Sequence, residues 1–125
     1  MSEVKYVRAF YKTGVYIAEL LDRQEEKQRA LVKVLAVLKH PTQGDLHNPK
    51  MVDVPLFHQR KALAQFEKTW VPLSSLKAYE GELLDYQFSL KQATEALRQS
   101  LIEDDSDWAR KSLEKLEECT AEYSF

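Results

Sequence analysis

The sequence predicts a mainly β protein with a helical C-terminus: a five-stranded small barrel over residues 1–70, then a two-helix hairpin over 71–125 packed on it as one compact unit. Two observations carry this. Residues 4–70 hold Val, Tyr, Phe and Leu in short runs separated by turn signals, the texture of a small all-β domain. After "VPLSS" the apolar period lengthens from two to between three and four, which is helical. A chain of 125 residues, 44% hydrophobic and 30% charged, can bury one modest core.

Strands one and two are expected at Val4 to Tyr11 and Val15 to Asp22, joined by "KTG" with Gly14 supplying the positive φ of a hairpin turn. The charged run "RQEEKQR", residues 23–29, lacks apolar periodicity and reads as a solvated connection. In strand three Val32, Val34, Ala36 and Leu38 share a face with strand periodicity, which marks central core. Strand four alternates Val52, Val54 and Leu56 with Asp53 and Pro55, and the missing N–H of Pro55 suits an edge or a bulge. Strand five is expected over about Lys61 to Phe66. Closing five short antiparallel strands into a barrel removes the exposed edges.

Residues Trp70 to Lys77 then join the barrel to the helices. Tyr86, Leu90, Ala93, Leu97 and Leu101 form the apolar stripe of a helix over about Glu82 to Leu101. Ser106 is placed to cap a second helix with acidic residues at its start, and its stripe is Ala109, Leu113, Leu116, Thr120 and Tyr123.

Charge is unevenly distributed. Residues 1–70 hold 12 Lys and Arg against 8 Asp and Glu, whereas residues 71–125 hold 6 against 12. The barrel is therefore basic and the hairpin acidic, which would orient a partner. Cys119 is the only cysteine, so no disulfide can form within the chain, and between Glu118 and Thr120 it has no adjacent base to activate it. "MSEVKYVRAFYK" has no apolar signal region and no window is apolar enough to span a bilayer, so a cytoplasmic protein without direct membrane insertion is expected.

Several chemistries can be weighed on residue type and spacing. His40, His47 and His58, with Asp45 and Asp53 nearby, supply metal-ligand types, but their spacing matches no compact zinc pattern; no metal is expected, and a metal-dependent enzyme using this loop is the alternative. "EDDSD", residues 103–107, supplies carboxylates at a helix start, where capping explains them better than acid–base catalysis. No phosphate-cradling glycine motif occurs, so neither catalysis nor a cofactor is expected. Lys5, Arg8, Lys12, Lys33, Lys39, Arg60 and Lys61 interleave with Tyr6, Phe10, Tyr11 and Tyr16, a pattern open to nucleic acid or to protein. "HPTQGDLHNP", residues 40–49, links strands three and four with prolines stiffening both ends; it is either a recognition loop on a rigid scaffold or a structural crossover.

The strings "VRAFYKTGVYIAE", "LVKVLAVLKHPTQGDLHNP", "VPLFHQRKALA" and "KAYEGELLDYQFSLKQA" resemble kinase-associated protein B of spore-forming, Bacillus-type bacteria. The resemblance runs from about Val4 into the last helix and is weakest over residues 22–29 and 66–76. It implies an SH3-like barrel followed by helices. It also implies a non-catalytic partner of a membrane-bound sensor histidine kinase that feeds the sporulation phosphorelay. Members are often called lipoproteins, yet Cys119 does not follow an N-terminal apolar segment, so membrane association through the kinase is the expectation. The expected contact surface is Lys39, His40, Gln43, Asp45, His47 and Asn48 with the neighbouring His58 and Arg60, and nucleic acid is not an expected partner.

Overall fold

The structure is a computed structural model that describes residues 5–43 and 60–123. Its strands are β1 (Tyr6–Tyr11), β2 (Gly14–Gln24), β3 (Arg29–Lys39), β4 (Lys68–Pro72) and β5 (Leu76–Ala78), followed by helices α1 (Tyr86–Asp104) and α2 (Asp107–Glu122). The antiparallel sheet has the order β4-β3-β2-β1-β5. Its outermost strands β4 and β5 do not pair with each other, so the SH3-like sheet is open and "barrel" describes it approximately.

The first hairpin lies where the sequence places it, but glycine acts differently there. Tyr11 pairs directly with Gly14, and the residue with positive φ is Lys12, at 54°. A Cβ at Gly14 would lie 2.5 Å from the Tyr16 hydroxyl, so glycine provides room for that side chain. The charged run after β2 is also more ordered than expected. Arg23 and Gln24 still pair with Ala30 and Arg29, and only a 3₁₀ turn, Glu25–Lys27, with left-handed Gln28 separates the strands. Side-chain polarity hid these strand ends, because both faces of the hairpin tip are open to water.

Period-two alternation holds along β3 through Ala30, Val32, Val34 and Ala36, all buried, and then changes phase. Val37 is buried and Leu38 half-buried, because a register shift lies between the Val15–Lys39 and Tyr16–Val37 pairs. Such a bulge sends the following side chain to the other face. The amide of Val37 donates to Ser89 Oγ of α1 at 2.9 Å, which fixes the helix against the irregular strand end.

The remaining strand positions need correction. The expected fourth strand, Val52 to Leu56, lies outside the described residues. Residues 61–66, expected as strand five, are irregular; the strand begins at Lys68 after a turn in which Phe66 has φ 68°. Residues 76–78, of which 76 and 77 are expected within a connection, form β5 and pair with β1 through Val7–Ala78, Arg8–Lys77 and Ala9–Leu76. Three residues are too few to show a period.

α1 starts at Tyr86, later than Glu82, because Asp85 caps it by accepting from the Phe88 amide at 3.0 Å. Ser106 caps α2 at the Ala109 amide, 3.1 Å away, as expected. Leu101, Trp108, Ala109 and Leu116 join the two helices. Inside the sheet Val7, Ala9, Ala18, Val32 and Val71 form one core, and α1 packs Tyr86, Leu90 and Ala93 against Tyr16, Val34 and Val37 to form a second.

Candidate partner-binding site

Of the expected contact residues, the four that are described differ in burial. Lys39 is exposed at the end of β3, whereas His40 and Gln43 are only 1% and 3% exposed. Arg60 is half-buried. Asp45, His47, Asn48 and His58 lie outside the described residues. His40 and Gln43 are therefore part of the buried scaffold, and among the described residues of this set Lys39 is the exposed one.

Gln43 uses its amide as a strand uses a peptide group. Its Nε2 donates to the Arg60 carbonyl at 2.8 Å and to the Pro41 carbonyl at 3.0 Å, while its Oε1 accepts from the Arg60 amide at 2.8 Å. The residues flanking 44–59 are thus joined directly. The thiol of Cys119, fully buried on α2, approaches Gln43 Oε1 at 3.7 Å and the Arg60 carbonyl at 3.5 Å. Thr13, at the hairpin tip, accepts from the Thr42 amide at 2.8 Å.

His40 connects this frame to α2. Its Nδ1 lies 3.0 Å from the Pro41 carbonyl and its Nε2 lies 2.7 Å from the Tyr123 hydroxyl. Since a carbonyl only accepts, Nδ1 carries the proton and Nε2 accepts from Tyr123. Burial pushes the His40 pKa below its usual value, partly offset by the bond to Pro41. The neutral ring is thereby held in one tautomer with neither nitrogen lone pair open to a metal.

Within residues 61–66, which are not a strand, three tyrosine hydroxyls bond the backbone of Ala62 and Leu63. Tyr123 Oη accepts from the Ala62 amide at 3.0 Å, and Tyr16 Oη accepts from the Leu63 amide at 3.2 Å. Tyr86 Oη donates to the Leu63 carbonyl at 2.5 Å. Side chains thus satisfy backbone groups that a sheet ladder would otherwise have paired. Burial raises the Tyr16 and Tyr86 pKa values to about 12 and raises that of Tyr123 further. Tyr86 and Tyr123 were visible in the sequence only as members of apolar stripes; tyrosine where leucine would serve was the available signal for a buried hydroxyl with a partner.

A surface cavity of about 270 Å³ lies beside this clasp, lined by Tyr11, Lys12, Tyr16, Pro41, Arg60, Lys61 and Leu63. Lys61 reaches Glu122 of α2 at 2.6 Å. Among the described residues no group of three or more His, Cys, Asp or Glu converges as a metal would require. The "EDDSD" carboxylates of Glu103 to Asp107 are exposed, and Arg110 pairs with Asp105 at 3.2 Å and Asp107 at 3.1 Å. Tyr16 is buried and cannot stack on a base, whereas Phe10 is exposed. Among the described residues no helix is long and apolar enough to cross a membrane.

The class defined by these features is an SH3-like antiparallel sheet with a C-terminal helical hairpin and a polar clasp at their seam. The family model for kinase associated protein B matches residues 11–124. Kinase-associated lipoprotein B of Bacillus subtilis is 53% identical over 117 residues, covering 94% of this chain and 90% of the relative. The crystal structure of kinase-associated protein B from Bacillus cereus aligns over the whole of both chains with a TM-score of 0.80 and 39% identity. The chain belongs to the kinase associated protein B family.

Proposed function

We propose that the protein is a non-catalytic regulator that binds a cytoplasmic part of a membrane-bound sensor histidine kinase and activates it, raising phosphate flow into the sporulation phosphorelay. Family membership over residues 11–124, with a Bacillus subtilis relative named for association with a kinase, is the observation that carries this reading. Activation requires tighter binding to the active than to the inactive kinase. The protein acts on the cytoplasmic side, close to the membrane; the lipoprotein name of the relative supports that proximity.

The proposed contact surface comprises Lys39 and Arg60 with Asp45, His47, Asn48 and His58. The clasp of His40, Gln43 and the three tyrosines supports it, because a pre-ordered frame loses less entropy on binding. The test is the autophosphorylation rate of the kinase in membrane vesicles as this protein is titrated in at fixed ATP. A saturable rise is expected; a flat response from a competent kinase contradicts activation. Replacing Asp45, His47 and Asn48 together by Ala is expected to right-shift the titration while leaving the melting temperature unchanged.

A further inference from the structure

On the β1–β5 surface, two cations face each other with no counter-ion among the described residues. Arg8 and Lys77 are direct cross-strand partners, and both lie over the ring of Phe10, at 5.5 and 5.8 Å from its centroid. Phe10 is 37% exposed, and Arg8 and Lys77 are exposed with it. Like charges directly opposite on a sheet repel. Among the described residues neither cation forms a salt bridge.

The sheet contains a second pair of this kind, and the contrast is informative. Lys33 is the cross-strand partner of Lys68, but there Glu19 reaches Lys33 at 3.4 Å and offsets the repulsion. Among the described residues the Arg8–Lys77 pair lacks such a carboxylate, although residues 71–125 hold twelve acidic side chains. A local conflict that the Phe10 ring offsets in part and that no described carboxylate relieves points to a ligand that relieves it.

We propose that Arg8, Phe10 and Lys77 form a docking surface, separate from the clasp, for an acidic protein segment whose carboxylates flank an apolar side chain. The carboxylates pair with Arg8 and Lys77 while the apolar group covers the exposed ring of Phe10. Two cations beside one ring match the scale of side chains; anionic lipid surfaces attract clusters of about four to eight basic residues. Charge complementarity thus selects a protein segment over a bilayer. This inference does not depend on the kinase reading.

The test is an NMR titration of the intact ¹⁵N-labelled protein with an acetylated peptide of alternating Glu and Val. The amides of Arg8, Phe10 and Lys77 are expected to shift in a saturable way, with affinity falling at least tenfold as NaCl rises from about 20 to about 300 mM. Lys77→Glu is expected to remove those shifts and also to raise the melting temperature, because it converts a repulsive pair into an attractive one. The stability readout separates lost binding from lost folding. Peptide shifts that leave these three amides unmoved would overturn the proposal, as would a lowered melting temperature in Lys77→Glu. Shifts of the same amides by phosphatidylglycerol vesicles but not by the peptide would assign the surface to lipid and overturn it too.

Discussion

The interior of the sheet and its seam with the helices are both buried, yet they are built on different physics. Val7, Ala9, Ala18, Val32 and Val71 pack by shape and hydrophobicity, which favour compactness without choosing direction. At the seam Tyr16, Tyr86, Tyr123, His40, Gln43 and Ser89 each reach a specified backbone atom or hydroxyl. The interior makes the protein fold; the seam sets where residues 60–64 and the helical hairpin sit. A scaffold that presents a contact surface needs that second kind of order.

Substitutions can break this comparison in order of size. Leu116→Ala, at a fully buried apolar site of α2, is expected to cost about 3 kcal/mol in chemical denaturation, from lost transfer energy plus a cavity. Gln43→Ala should cost about 2 kcal/mol although it removes little apolar surface, since it removes the two hydrogen bonds that Gln43 makes to the peptide groups of Arg60. Tyr123→Phe keeps the ring and removes the hydroxyl shared by His40 and Ala62; a loss of about 1 to 2 kcal/mol is expected. Lys61→Ala breaks only the half-exposed pair with Glu122 and should change stability by less than about 0.5 kcal/mol, an effect that salt removes. If Gln43→Ala and Lys61→Ala proved equal, the seam would be no more directional than the surface.

Titration sharpens the same contrast from both ends of the pH scale. His40 has a folded pKa below its unfolded value of about 6.5, so the unfolded chain takes up the proton first. Its contribution is complete above about pH 6.5 and is lost as pH falls toward the folded pKa. Urea midpoints measured from pH 7.5 to pH 5 should therefore fall more steeply in the natural protein than in His40→Gln. Tyr16 and Tyr86 have the opposite sign. Their pKa values are raised from 10.0 to about 12, so their contribution is present below pH 10 and lost as pH rises toward 12. Tyr16→Phe should flatten the alkaline limb of the stability profile.

The sequence was legible wherever one signal outweighed its competitors. The first hairpin, the alternation of β3 up to Ala36 and the Ser106 cap follow from local rules, because turn chemistry, strand period and capping act over a few residues. β4 and β5 were misplaced for opposite reasons. "KALAQF" has strand-like residues but its Ala62 and Leu63 backbone groups bond tyrosines distant in sequence, whereas "LKA" is too short to show a period and pairs through tertiary contact with β1. At the candidate site Lys39, a cation at the end of β3, is exposed. His40 and Gln43 have the polarity of exposed loop residues and are buried instead; nothing local reveals that Tyr123, eighty-three positions from His40, completes the hydrogen bond.

Native-state hydrogen exchange at Arg60, Ala62 and Leu63 tests the central claim most directly, because each of these amides is held by a side chain and not by a strand. In the natural protein all three should be protected like the sheet amides, and Tyr123→Phe should release Ala62 while Val32 and Val34 stay protected. Exchange of the three at unprotected rates in the natural protein would contradict the clasp and, with it, the pre-ordered frame proposed to present the kinase-binding surface.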